Sequence, residues 1–294
     1  MKTLCPSNYF KKILSSKTNK EKVIDFYNEA TEDYEFWSKD FNMHFGYYTL
    51  KTNPFKRDTM LNEMNRQIFD QFQLSNTKKL IADLGCGMGA TMRYGLKNNQ
   101  TLNMIGLTLS DFQVQEGNKL LKKHNGVIVK GNYNTTPFKD NSLDGVIAIE
   151  SLCHSGHKYE SFKEAFRVLK PNSKLVIADA FLKKEITDLC IGSKYCYEQL
   201  CKGWSLDRLG NIHNIKKHLK SIGFKNIEVK DLSFRIAPSV LHVPFAITGF
   251  VLKKLLKKEP LKKQSIENLR GSLFALLAGL HLNSFGYYMI TATK

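Results

Sequence analysis

The sequence predicts an α/β fold: a mainly parallel seven-stranded sheet with helices on both faces, a helical cap before it and a helical insertion before its last strand. Three observations carry this. Between residues 78 and 236, short apolar runs alternate with amphipathic stretches, the pattern of strands joined by helical crossovers. The glycine-rich "DLGCGMGA" closes the first run and opens the first helix. The chain ends on "FGYYMITATK", a strand separated from the others by a helical stretch. The expected organisation is a cap over 1–76, a ligand-binding core over 77–236, an insertion over 237–285 and the last strand over 286–294.

Each element has its own signal. "KLIADLG" is a buried strand, and a helix follows over 90–98. "LNMIGLTLS" is the second strand, with a helix over 111–123 behind it. "GVIVKGNY" and "LDGVIAIES" are the third and fourth strands, and a helix covers 159–169. "PNSKLVIADAF" turns into the fifth strand, and "SIGFKNIEVKDLS" holds the sixth. Right-handed crossovers between parallel strands put helices on both faces. The aromatic-rich, helical 21–73 and the insertion are placed to cover the C-terminal edge of the sheet, where open α/β folds bind ligands.

The 294 residues are 42% hydrophobic and 11% aromatic, enough for a substantial globular core. No run of about 18 charge-free apolar residues is present, so no membrane span is expected. The basic N-terminus lacks the apolar core of a secretory signal. Six cysteines without paired spacing point to reduced thiols in a cytoplasmic protein and to no metal site; His154 and His157 lie three apart with no third ligand in view. Against 27 Asp and Glu stand 44 Lys and Arg, a net charge of +17. That balance suits anionic partners, or a surface of solvated lysines.

Gly85, Gly87 and Gly89 place bare backbone amides at a helix N-terminus, suited to a polar or anionic ligand group. Gly85, Gly87 and Ala90 also satisfy the dinucleotide spacing. Yet Asp83 would repel a pyrophosphate, and "MIGLTLS" ends without the acid that holds the ribose of NAD. A carboxylate beside bare amides better suits a ligand with its own ammonium and carboxylate, such as S-adenosylmethionine.

Here "DLGCGMG" resembles the first motif of class I S-adenosylmethionine-dependent methyltransferases, a Rossmann-like fold. "GLTLSDFQ" is similar to the second-strand motif of tocopherol methyltransferases and cyclopropane fatty acid synthases. "GNYNTTPFKDNSLDGVIAIESLCH" resembles the matching stretch of sterol C-methyltransferases, and "EAFRVLKPNSKLVIAD" has the superfamily's helix, turn and fifth strand. "YNEATEDYEFWSKDFNMHFGYY" is similar to the cap of this lipid-acting subgroup. The resemblance implies that Asp83, Gly85, Cys86 and Gly87 hold the amino acid end of the cofactor. It makes Thr108, Ser110 and Gln113 ribose-side candidates, because Leu107 and Thr108 stand where many relatives carry an acid. Asn132 would bond the adenine and Tyr133 would stack on it.

A sulfonium methyl is already activated, so the chemistry needs in-line positioning and exclusion of water, with a base wherever a proton must leave. Glu150, His154 and Tyr47 are the catalytic candidates. His154 matches a functional His of the cyclopropane synthases, although Cys153 precedes it where that family carries Glu. Tyr27, Tyr34, Ser151 and Trp204 are the candidates for binding the acceptor, with Leu206 beside Trp204. The expected function is methyl transfer to an apolar or amphipathic small molecule (sterol, terpenoid, prenylquinone or lipid-like product), at carbon by resemblance. O- or N-methylation, RNA methylation and a non-catalytic cofactor-binding scaffold are the alternatives. No separate RNA-binding module and no Asn/Asp-Pro-Pro-aromatic motif are present, so no nucleic acid partner is expected. The sequence says nothing of oligomeric state.

One further stretch has a pattern of its own. In "ITGFVLKKLLKKEPLKKQ", Phe250, Val251, Leu252, Leu255 and Leu256 fall on one side of a helix, and lysine pairs at 253/254 and 257/258 recur on the other. Such a basic amphipathic helix either lies peripherally on an anionic membrane or packs its apolar side on the protein's own sheet.

Overall fold

The computed structural model describes residues 36–294 apart from 73, 75, 156, 157 and 207; Tyr27, Tyr34 and His157 lie outside the described residues. Seven strands form one sheet in the order β3-β2-β1-β4-β5-β7-β6. They are β1 (Lys79–Leu84), β2 (Leu102–Thr108), β3 (Gly126–Lys130), β4 (Leu143–Ile149), β5 (Leu169–Leu182), β6 (Lys225–Asp231) and β7 (Phe285–Thr293). The first five pair in parallel, and β7 runs antiparallel between β5 and β6. This is the predicted mainly parallel sheet, with its last strand entering from the opposite direction.

Alternating side chains of each buried strand face two separate cores, as a doubly covered sheet requires. On one face Ile81, Met104, Ile147, Val176 and Met289 pack beneath α1 (Arg57–Phe69) and α2 (Ala90–Asn98). On the other, Ala82, Val146, Ala148, Ile177 and Ile290 meet α4 (Lys158–Val168) and α6 (Ile212–Ile222). Ser110 caps α3 (Asp111–Leu121) by accepting the Gln113 amide, and Asn211 caps α6 by accepting that of His213. Each cap satisfies one of the orphan donors of a helix start.

Three local expectations change. Residues 40–56 of the cap are irregular, and its described helix is α1 alone beyond them. The fifth strand begins before its Pro-Asn turn and spans 14 residues; the turn is absorbed as a register shift opposite Leu143 and Gly145, with Asn172 at φ 64°. The insertion begins directly after β6, as α7 (Ser233–Val240), α8 (Val243–Leu256) and α9 (Lys263–Leu280). Helix α8 stops at Leu256, and Lys258 adopts φ 54°, so the second lysine pair lies past the helix end.

The apolar side of α8 is divided. Phe250 is buried, whereas Leu252, Leu255 and Leu256 are exposed, the last at 76%. Together Ser233–Leu256 make 24 residues that contain an 18-residue stretch of mean hydropathy 1.5, long and apolar enough to cross a membrane, with 22% of that stretch buried. That departs from the expectation of no span-length segment. Its charge-free part ends at Lys253, and Arg235 interrupts its start, so a rule based on unbroken apolar runs passed over it.

Helix α9 is seated on α5 (Ile191–Gly203) backbone to backbone. A Cβ on Gly203 would lie 2.5 Å from both the Cα and the N of Gly271, and one on Gly271 would lie 2.4 Å from the Trp204 ring. Glycine at both positions therefore fixes how close the insertion comes to the core. Gly203→Ala must push α9 outward, and overpacking of this kind costs about 1–3 kcal/mol. A Tm lowered by several degrees in thermal unfolding is the expected outcome; an unchanged Tm would mean the helices do not touch there.

Candidate functional site

Three acids close adjacent strands at the C-terminal edge of the sheet: Asp83 near the end of β1, Glu150 just after β4 and Asp179 late in β5. Asp83 is 3% exposed and makes no ion pair or side-chain hydrogen bond among the described residues. Burial alone pushes its carboxyl up to about 7, because a charge in low dielectric loses its hydration. Glu150 is held at φ 46°, its amide bonded to Ala178 O at 2.9 Å. Its Oε1 accepts from the Phe45 amide (2.7 Å) and from the Tyr287 hydroxyl (2.8 Å). Burial raises this carboxyl to about 8 against those two bonds, and nearby Asp179 adds to the rise. Asp179 accepts from the Cys153 amide at 3.0 Å and from the Ala180 amide at 2.8 Å.

The glycine turn lies against the first of these acids. Gly85, Gly87 and Gly89 have φ of 83°, 53° and 73°, values that favour glycine. The amides of Gly85 and Cys86 donate to Leu107 O at 2.9 and 3.0 Å, so these two tie the turn to β2 instead of pointing bare at a ligand. Ser151 braces the turn from the other side: its Oγ donates to Leu84 O at 2.5 Å, and a Cβ on Gly85 would come within 2.4 Å of its own Cβ. A Cβ on Gly87 would meet Met43 Sδ at 2.9 Å. Burial and the neighbouring Asp83 raise the Cys86 thiol, which leaves it a neutral packing group.

The ribose-side candidates form a connected network at the end of β2. Thr108 Oγ1 donates to Gln113 Oε1 at 2.6 Å and accepts from the Ser110 amide at 3.2 Å. Gln113 Nε2 points at Met43 Sδ, 3.8 Å away. After β3, Asn132 Oδ1 accepts from the Asn134 amide, and the Tyr133 hydroxyl donates to Ser151 O at 2.9 Å. The structure thus brings Asp83, the glycine turn, Thr108, Ser110, Gln113, Asn132 and Tyr133 onto one edge. The chemistry of this donor set fits S-adenosylmethionine. The buried Asp83 lacks a cation and would gain one in the ligand's ammonium, and polar side chains stand where ribose and base would follow.

Beside this edge lies an apolar cavity with about 1080 Å³ of atom-free space, part of it open to solvent. Glu150, Cys153, His154, Asp179 and Tyr287 make its floor, and Phe36, Trp37 and 43–45 of the cap make one wall. Leu200, Trp204, Leu206 and Leu209 form another wall, roofed by Val243, Ala246, Ile247 and Phe250 of α8 and by Asn268, Leu269 and Ser272 of α9.

Of the catalytic candidates, Glu150 and His154 line the cavity, and so does Trp204. Tyr47 lies elsewhere, buried in the core with Met64 and Ile236 and with Arg235 above its ring. Ser151 supports the glycine turn and does not line the cavity. The tyrosine at the floor is instead Tyr287, in register with Ala180 of β5. Sequence reasoning also passed over Asp179, Met43 and Asn268. Asp179 had a signal: "VIADA" repeats the acid-ending apolar run of "LIADLG".

Residues 82–177 match the family model described as a methyltransferase domain. A 24-methylenesterol C-methyltransferase of Arabidopsis thaliana is 31% identical over 223 residues, 72% of this chain and 60% of its own length. The chain thus spans about three fifths of that relative. An O-methyltransferase of Aspergillus sclerotiorum is 24% identical over 259 residues, 86% of this chain and 89% of its own. The cyclopropane synthase structure from Mycobacterium tuberculosis superimposes with a TM-score of 0.80 at 14% identity, over 95% of this chain and 100% of that one. This last likeness is one of fold.

The raised carboxyl of Glu150 has a thermodynamic signature. Its folded value, about 8, lies above the unfolded 4.5. The stability it contributes is therefore complete below pH 4.5 and lost as pH rises towards 8. Glu150→Gln keeps an acceptor for Phe45 and Tyr287 and cannot ionise. Denaturant unfolding should show the wild type losing stability relative to Glu150→Gln between pH 4.5 and 8, with the difference flat above. A constant difference across that window would show that the carboxyl titrates normally.

Proposed function

We propose that this chain, a class I methyltransferase by its domain at 82–177 and its sheet, methylates an apolar or amphipathic small molecule of the sterol or terpenoid class, at carbon, from S-adenosylmethionine. The observation that carries this is the row of acids, Asp83 and Asp179 buried and Glu150 partly so, under an apolar cavity and next to the glycine turn. S-adenosylmethionine supplies a methyl already activated by its positive sulfur. Asp83 takes the ammonium; that pairing favours its charged form, so affinity rises with pH through about 7. Trp37, Phe45, Trp204 and Phe250 exclude water and turn aromatic surfaces towards positive charge.

For an alkene acceptor, the π electrons form the new carbon–carbon bond as the sulfur–carbon bond breaks, and the positive charge passes to the acceptor. A neighbouring carbon then releases a proton, its C–H electrons closing a double bond. Glu150 is the group placed to receive that proton. The approaching cation lowers its affinity for a proton and so favours the ionised form. A second reading, O-methylation, has its own support in the O-methyltransferase relative, which matches over most of its length. There Glu150 or His154 would take the hydroxyl proton.

Incubation with methyl-labelled cofactor and sterol and terpenoid extracts tests both. A product heavier by one methylene and stable to ether cleavage supports carbon transfer, a cleavable one supports oxygen, and no labelled product in any extract overturns the assignment. Asp83→Asn should weaken cofactor binding about 30-fold or more, the roughly 2–5 kcal/mol of a broken buried charge pair, and should abolish its pH dependence near 7. Glu150→Gln should lower kcat with cofactor affinity little changed. Equal effects on both would make Glu150 a support of the loop.

The membrane-facing side of this reading rests on the insertion. Phe234, Leu241, Phe245, Leu252, Leu255 and Leu256 are exposed there, and Lys253, Lys257, Lys258, Lys262 and Lys263 are exposed beside them. The other face of α8 lines the cavity. This supports weak peripheral docking on an anionic bilayer, from which an apolar acceptor would pass beside α8. Cysteines without paired spacing fit a reducing, cytoplasmic setting. Co-sedimentation with anionic vesicles should fall with salt and with Lys253→Glu, Lys257→Glu and Lys258→Glu together. Binding that ignores lipid charge, or no binding, would make these lysines ordinary surface charge.

A further inference from the structure

The roof of the cavity holds a polar atom that the methyl-transfer chemistry does not use. Asn268 stands on α9 among Leu269, Ile247, Phe250 and Trp204, and is 6% exposed. Its backbone carbonyl is well supplied, accepting from Trp204 Nε1 at 3.3 Å and from Ser272 Oγ at 2.9 Å. Its side-chain Oδ1 is buried and has no hydrogen-bond partner among the described residues. An unpaired buried acceptor is destabilising, and a leucine of similar branched shape would avoid the penalty. The site therefore carries a penalty that a bound donor would remove.

We infer that Asn268 recognises a hydroxyl group on the acceptor, remote from the methylated atom. An amide matches a hydroxyl on both sides, since Oδ1 accepts the O–H proton and Nδ2 can donate to the oxygen. Ser272, one turn along α9 and also lining the cavity, gives its proton to the Asn268 carbonyl and keeps lone pairs for the same hydroxyl. A ketone, ether or hydrocarbon at this position leaves Oδ1 as it is in the free protein. The cavity is thus polar at two places: an acidic floor where the methyl is delivered, and an amide in the roof. Its acceptor is an apolar body with one alcohol and a reactive site at a distance from it. The inference rests on the acceptor cavity proposed above and specifies its ligand.

Both tryptophans of the chain, Trp37 and Trp204, line this cavity, so intrinsic fluorescence reports its occupancy without turnover. The probes are two series: cholesterol with its 3-ketone and 3-deoxy analogues, and farnesol with its aldehyde and hydrocarbon analogues. Wild-type protein should bind the alcohol of at least one series about tenfold more tightly than its carbonyl and hydrocarbon partners. Asn268→Leu should remove that preference and still bind the hydrocarbon. If Asn268→Leu does not fold, Asn268→Ala, which cannot overpack, gives the same readout. Binding without preference for the alcohol, or a preference surviving in the variant, overturns the role of Asn268 and leaves the apolar cavity standing. Failure of every probe to bind overturns the apolar acceptor reading, and this inference with it.

Discussion

One carboxyl oxygen joins three distant parts of the chain. Oε1 of Glu150 accepts from Phe45 in the cap and Tyr287 in the last strand, while its own residue ends the fourth strand. The cap, the sheet edge and the antiparallel strand are thereby fixed relative to one another at the floor of the cavity. A left-handed backbone at a non-glycine residue is uncommon and costs of order 1–3 kcal/mol. Here the conformation is retained where the carboxyl must turn back over the strand ends. Because those hydrogen bonds come from an uncharged amide and a phenol, the carboxyl has no counter-ion among the described residues.

The acid row also explains why the two halves of the site meet where they do. In a parallel sheet the strand order, not the chain order, decides which C-terminal ends are neighbours. The order β1-β4-β5-β7 sets Asp83, Glu150, Asp179 and Tyr287 beside one another although they span some two hundred positions in sequence. Asp83 borders the glycine turn, Tyr287 borders the cavity, and Glu150 lies between them.

The core was legible because its signals are local. Strand periodicity, the amphipathic stretches between strands and the glycines of the first turn each depend on a few adjacent residues, and the sheet follows from them. The acceptor side was only partly legible. Glu150, His154 and Trp204, named from the sequence, do line the cavity, the first two because they follow a recognisable strand. Tyr287 and Asn268 were not, since their roles come from register and helix docking that no short window contains. Tyr47 was misplaced for the complementary reason: a dense aromatic stretch does not say which ring faces the core and which faces a cavity. The apolar side of α8 was visible, but its division between the buried Phe250 and the exposed leucines depends on which neighbour covers each turn.

The antiparallel last strand has a consequence for how the molecule can change. Because β6 and β7 are direct neighbours in the sheet, the helices between them begin and end at nearly the same place. They are an overgrown hairpin loop. The entropy of closing such a loop rises only with the logarithm of its length, so lengthening or replacing it disturbs the sheet little. The glycine turn and the acids beside it stand on strands paired with neighbours on both sides, whereas much of the cavity wall hangs from one adjustable connection. Exchanging that connection would recast the cavity and leave the sheet edge with its row of acids in place.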